Sequence, residues 1–258
     1  MTDPSATVLA LLALAGLTAG FVDSVVGGGG LVQLPALLLG LPGASPAQVL
    51  ATNKLGSVCG TATSSLTYYR RVRPEPRTFV PLMATAFAGS TAGALVASRI
   101  PRVAFEPIVL VAILAVGAFV LLRPDLGETT RLRFAGRRHT QVALLGGAAI
   151  GFYDGALGPG TGSFLVIGLV GLGYAFVEAS AHARLANFAT NFAAFAVFVP
   201  QGAVLWQVGL VVGVANLCGS YLGARTAVAR GSRFVRGLFL AVVGGFVVRL
   251  GGSVLGVW

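Results

Sequence analysis

Along the chain, long apolar runs alternate with short polar or glycine-rich breaks, a pattern that predicts membrane-crossing helices. Spans are expected at 6–26, 46–69, 79–98, 103–122, 141–157, 176–199, 203–224 and 236–256. Two further apolar runs, 31–41 and 162–173, are too short to cross by themselves at 1.5 Å per residue. Each directly follows a glycine-rich break, Gly27-Gly28-Gly29-Gly30 before the first and Gly158-Pro159-Gly160-Thr161-Gly162 before the second. The longest polar stretch runs from Arg123 to His139. It divides the chain into a first half (1–122), a basic cytoplasmic linker (123–140) and a second half (141–258).

The halves read as copies. Gly20-Phe21-Val22-Asp23 returns 131 residues later as Gly151-Phe152-Tyr153-Asp154, and Gly27 and Gly29 return as Gly158 and Gly160. After a one-residue slip, Ala51, Lys54 and Leu55 match Ala181, Arg184 and Leu185, and Gly89-Ser90 and Gly93-Ala94 match Gly219-Ser220 and Gly223-Ala224. The loop at 70–77 is strongly basic, whereas its counterpart near 200–207 carries no charge. Parallel repeats would put those loops on one side with similar arginine content, so inverted repeats are expected. Arg99 and Arg102 would then lie outside, against the trend.

Composition agrees with a polytopic all-α membrane protein of about eight full spans. Of 258 residues, 55% are hydrophobic and only 10% charged, against about 25% charged in soluble domains. Two cysteines, Cys59 and Cys218, exclude a disulfide scaffold. The formal net charge of +10 raises nucleic acid as a partner. Its placement argues against that, because the arginines cluster in short loops at 70–77, 123–138 and 225–236, as the positive-inside rule expects of cytoplasmic loops. No basic residue precedes Lys54, so the first apolar run is expected to span rather than to be a cleaved signal. The expected location is the plasma membrane, with the lipid bilayer as partner; oligomeric state is not legible.

Ionisable residues inside apolar runs point to function or to pairing. Lys54, the single lysine, and Arg184 stand at matching positions, a natural seat for an anion; the alternative is that each neutralises a carboxylate. Asp23 and Asp154 precede the breaks and are open to capping freed N–H groups, pairing with Lys54 or Arg184, or carrying a coupling proton. A helix that starts after a glycine break turns unsatisfied N–H groups and its positive dipole end toward an anion. Gly27, Gly28, Gly29, Gly30, Gly158, Gly160, Thr161 and Gly162 are therefore candidate substrate contacts, close helix packing being the other use of such glycines. Asn53, Asn187 and Asn191 add amide donors, with Ser57, Thr61, Thr63, Ser64 and Thr190 nearby; interhelical hydrogen bonds would use them equally well. His182 occupies the slot of Thr52. No motif of a hydrolase, zinc protease, P-loop or dinucleotide site occurs, and two histidines offer little to a metal. No enzyme activity, cofactor or metal is expected.

The run Gly20-Phe21-Val22-Asp23, Gly27-Gly28-Gly29-Gly30-Leu31-Val32-Gln33-Leu34-Pro35-Ala36-Leu37, then Ala51-Thr52-Asn53-Lys54-Leu55, resembles the sulfite exporter TauE/SafE family. So does Gly155-Ala156-Leu157-Gly158-Pro159-Gly160-Thr161-Gly162-Ser163-Phe164, with Asn187-Phe188-Ala189-Thr190-Asn191 downstream. The resemblance covers essentially the whole chain. It implies a plasma-membrane permease without an ATPase domain, associated with sulfite, sulfonates and related organosulfur anions. From the residues themselves comes only the expectation of a small anionic substrate. A passive anion channel, a non-transporting membrane subunit and a membrane-embedded enzyme are the other readings.

Overall fold

A computed structural model describes residues 4–97, 129–134 and 136–254. The described elements are helical: α1 (Ala6–Val26), α2 (Gly29–Gly40), α3 (Pro46–Val72), α4 (Pro76–Ala97), α5 (Gly136–Ala156), α6 (Thr161–Gly171), α7 (Phe176–Phe198) and α8 (Trp206–Val254), with a 3-10 turn at Val199–Gln201. The run expected to span at 103–122 lies outside the described residues, as do 123–128 and 135 of the linker. Where the linker is described, α5 begins inside it, at Gly136 rather than at 141.

Local chemistry sets the helix limits. Ser5 caps α1 by accepting from the Val8 N–H, and Ser45 and Gln48 form a reciprocal capping box at the start of α3, with Pro46 at its first turn. Gly231, at φ 74 and ψ −174, breaks α8 into two parts, so the spans expected at 203–224 and 236–256 meet at a kink.

Three of the described helices are long and apolar enough to cross a membrane by themselves: Ala6–Val26, Pro76–Ala97 and Trp206–Val242. Among the others, α2 and α6 are apolar but short, and α7 carries polar side chains that face protein. In α7, 15 of the 23 residues are buried, among them His182, Arg184, Asn187 and Asn191. Outward-facing Leu11, Leu14, Leu95, Leu145 and Leu210 supply the apolar exterior.

Apolar clusters fix which helix ends lie together. At one end, Leu12 of α1, Leu37 of α2, Leu41, Val49 of α3 and Val208 of α8 pack together. At that end too, Ala51 and Leu55 meet Ala94 of α4 and Phe198 and Ala203. At the opposite end, Tyr68 of α3, Leu82 of α4, Ala143 of α5, Leu172, Phe176 of α7 and Ala227 of α8 share one cluster. So α3 runs from the first end to the second and α7 runs back. The short helices α2 and α6 start beside one another and diverge, α2 toward the first end and α6 toward the second.

Helix pairing exchanges the halves: α1 packs on α8, and α4 packs on α5, while α3 and α7 touch at the centre. Both outer pairs use glycines. A Cβ on Gly20 or Gly219 would strike the carbonyl of Asn216 or Leu17, and one on Gly93 or Gly155 the carbonyl of Phe152 or Ser90. Arg70, Arg71 and Arg225 line one groove, while the N–H groups of Arg131 and Arg133 donate to Gly173 and Leu172. Members of all three arginine clusters thus gather at the second end.

Gly155→Ala should lower stability by about 1–3 kcal/mol through overpacking, whereas Gly146→Ala, with open space at its Cβ, should be neutral or mildly stabilising. Thermal unfolding of the two variants in detergent measures this; equal midpoints would contradict the crossing geometry.

Candidate functional site

The two glycine breaks meet at the centre of the bundle. Gly27 ends α1 at φ 91, its N–H donating to the Asp23 carbonyl at 2.7 Å. Gly158 follows α5 at φ 92, and Gly160 precedes α6 at φ 81. These left-handed conformations favour glycine. The Ser163 N–H donates to the Gly27 carbonyl at 3.2 Å and its hydroxyl to the Val26 carbonyl at 2.9 Å. A Cβ at Gly27 would collide with the backbone of Gly162, so the contact is backbone on backbone.

Around this contact, charges pair crosswise between the halves. Lys54 of α3 donates from Nζ to Asp154 Oδ2 of α5 at 2.7 Å, both side chains 2% exposed. Arg184 of α7 donates from Nη1 to Asp23 Oδ2 of α1 at 3.1 Å and also to the Asp23 carbonyl. Asp23 Oδ1 meanwhile accepts the Gly29 N–H at 3.1 Å, so one carboxylate caps α2 and holds α7. Of the roles open to them, both acids pair with a cation, and Asp23 caps a helix as well. Arg184 Nε and Nη2, fully buried, find no hydrogen-bond partner among the described residues. Nη2 lies beside Gly162, where a Cβ would stand 2.7 Å from it.

Amides complete the setting. Lys54 Nζ also donates to Asn191 Oδ1 at 3.1 Å, and Asn191 Nδ2 donates to the Asn187 carbonyl at 2.8 Å and side-chain oxygen at 3.2 Å. The Thr190 hydroxyl donates to Asn187 Oδ1 as well, at 3.3 Å. With its oxygen so engaged, Asn187 presents its amide as a donor. A small cavity of about 20 Å3, near the size of one water, lies between the breaks. Its walls include Gly27, Gly30, Asn53, Lys54, Gly158, Gly160, Thr161, Gly162, Asn187 and Asn191 from the expected set, together with Asp23, Asp154 and Ser57.

Gly28, Gly29 and Arg184 do not line it. Gly28 faces Val242 and Val22, Gly29 packs against Asp23, and Arg184 stands behind Gly162. Thr61, Thr63 and Ser64 bond to carbonyls of their own helix. His182 sits away from the cavity, 4.8 Å ring to ring from Tyr174, whose hydroxyl bonds to Thr78 at 3.0 Å and to His139 Nε2 at 3.1 Å. Burial pushes the Tyr174 phenol up, so it remains protonated.

Sequence reasoning overlooked an adjoining network. Gln33 Nε2 donates to the Asn53 carbonyl at 3.1 Å and to Asn53 Oδ1 at 3.0 Å, while Gln33 Oε1 accepts from Asn216 Nδ2. The Ser220 hydroxyl donates to Asn216 Oδ1 at 3.2 Å. Gln33 thereby fixes Asn53 as a donor on the cavity wall. The available signal was an amide inside each of two apolar runs, without a repeat partner: Gln33 corresponds to Phe164 and Asn216 to Ala86.

The family model described as "Sulfite exporter TauE/SafE" matches residues 12–250. The chain is 37% identical to "Probable membrane transporter protein ORF9" of Sinorhizobium sp, over 97% of this chain and 95% of that relative. It is 36% identical to a "Probable membrane transporter protein" of Haemophilus influenzae, over 91% of each chain. A third relative, "Probable membrane transporter protein YfcA" of Escherichia coli (strain K12), is 36% identical over 92% of this chain and 87% of its own. No solved structure matches.

Asp154→Leu leaves the Lys54 ammonium buried without its counter-charge, and should cost about 3–5 kcal/mol. The double variant Lys54→Met/Asp154→Leu should regain most of that loss. Unfolding midpoints for the wild type, single and double variants measure the coupling; additive losses would contradict a direct pair.

Proposed function

The chain belongs to the sulfite exporter TauE/SafE family of membrane transporters, and from that membership and the site's geometry we propose a secondary transporter for a small anion. Its substrate class is sulfite or a related organosulfur anion. The observation that carries this reading is the buried guanidinium of Arg184, two of whose nitrogens have no partner among the described residues, directly behind a cavity wall made of helix starts. The N-terminal ends of α2 and α6 open toward that cavity, adding their dipoles and N–H groups to the same point. Asn53 and Asn187 offer amide donors, and Lys54 supplies charge once an incoming anion competes with Asp154. Backbone N–H groups around residues 27–30 and 158–162 hold substrate oxygens.

The site lies near the membrane midplane between two inverted repeats. The divergence of α2 and α6 toward opposite ends supports the inversion, as does the crosswise exchange of Asp23–Arg184 and Lys54–Asp154. The arginine-rich end faces the cytoplasm by the positive-inside rule, and the protein resides in the plasma membrane as a multi-pass chain. A cavity near the size of one water is too small for a sulfonate, so loading requires the breaks to separate. Rocking of one repeat against the other does this, opening the site to one side at a time. This closure favours a carrier over an open anion channel.

Two experiments test the reading. Proteoliposomes should take up radiolabelled sulfite saturably, with competition by sulfoacetate but not by acetate. Asn187→Ala should weaken apparent affinity by roughly 10–100-fold through loss of a charge-assisted hydrogen bond. Folded protein without sulfite flux would overturn sulfite as substrate. On a Cys59→Ser/Cys218→Ser background, membrane-impermeant labelling of Arg71→Cys and Gln201→Cys should report opposite sides; labelling from one side would overturn the inverted topology.

A further inference from the structure

At the arginine-rich end, a groove of about 290 Å3 opens between α3 of the first half and α8 of the second. Its walls are amphipathic along their length. Thr63, Leu66, Thr67 and Arg70 follow one another at helical spacing on α3, and Tyr221 and Arg225 do so on α8, with Arg71 at the rim. Toward the bundle interior the groove is apolar, with Leu66 50% exposed and Tyr221 45% exposed. Toward the end of the bundle it is cationic, and among the described residues no acidic side chain lines it. The hydroxyls of Thr63 and Thr67 bond to carbonyls within α3, leaving their methyl groups to the groove surface.

Arg225 is oriented at this rim by its own helix. Its Nη1 donates to the Tyr221 hydroxyl at 2.9 Å, and its guanidinium lies 5.4 Å from the centre of the same ring. One of five N–H donors is spent in that bond, and the guanidinium is fixed in place. Two contiguous grooves continue the cationic surface: Arg71 and Arg225 line one, and Arg70 and Arg73 line the other.

We propose that this groove binds an anionic phospholipid, its acyl chain along Leu66 and Tyr221 and its phosphates between Arg70 and Arg71 on one wall and Arg225 on the other. Basic pockets between membrane helices at the cytoplasmic face suit such headgroups, at about fivefold in affinity per arginine near the surface. Cationic walls on both sides suit a headgroup with two phosphates, so cardiolipin is the preferred occupant. The lipid bridges the two halves of the chain. None of this depends on which anion is transported.

The test is native mass spectrometry of the full-length protein in detergent, titrated with cardiolipin, phosphatidylglycerol, phosphatidylcholine or inorganic phosphate. One cardiolipin should be retained, phosphatidylglycerol more weakly, and phosphatidylcholine and inorganic phosphate not at all. The Arg70→Gln/Arg71→Gln/Arg225→Gln variant should bind cardiolipin on the order of a hundredfold more weakly. A charge-matched control, Arg133→Gln/Arg137→Gln/Arg138→Gln, removes three arginines elsewhere at the same end and should keep wild-type binding. Single substitution of the exposed Arg225 should give an intermediate loss, and it does not put folding at stake. Equal losses in both triple variants, or equal retention of phosphatidylcholine, would overturn the groove as the site; retention of inorganic phosphate would overturn the lipid as the occupant.

Discussion

Irregular backbone in the interior of a membrane protein must have its N–H and C=O groups satisfied by protein, because lipid offers nothing in return. The contact between the two glycine breaks meets that demand, and the rest of the bundle is arranged around it. Ser163 serves two carbonyls of the opposite half, Asp23 caps α2, and Thr161 bonds to the Gly158 carbonyl at 2.8 Å. Side chains larger than hydrogen at Gly27 or Gly162 would force the breaks apart. The ion pairs then lock the breaks from either side. Their crosswise pattern means neither half is electrostatically complete by itself: each buried cation finds its counter-ion on the other half.

Much of this was legible in the sequence, and for definite reasons. Glycine runs and apolar periodicity depend on local chemistry, so the short helices α2 and α6 could be read from the residues around them. The recurrence of Asp23 as Asp154, and of Lys54 as Arg184, marked these four as a set because charges seldom recur by chance in an apolar chain. Their mutual pairing was one option among several, since a linear pattern does not say which partner a carboxylate meets. The crosswise choice depends on α1 packing on α8 and α4 on α5, a long-range arrangement.

Other features lay beyond a repeat-based reading. Gln33 and Asn216 break the symmetry, so no matching position drew attention to them. Gly29 reads as a substrate contact from its motif, yet its Cα packs against the Asp23 side chain. The repeat pattern places Arg184 on the cavity wall, yet it stands one residue layer behind, because Gly162 intervenes. The start of α5 lies inside the basic segment because arginines are good helix formers, and the left-handed Gly136, at φ 56, marks where it begins.

In the proposed cycle, the four charges at the centre have a consequence for voltage. Two cations and two carboxylates sum to zero, so an unloaded site presents no net charge to the field across the bilayer. Moving one elementary charge through that field is worth about 2.3 kcal/mol per 100 mV. An empty carrier can reorient without that electrical work, whereas one loaded with an uncompensated anion cannot. Under the proposed function, the membrane potential therefore acts on the loaded step and is silent on the return.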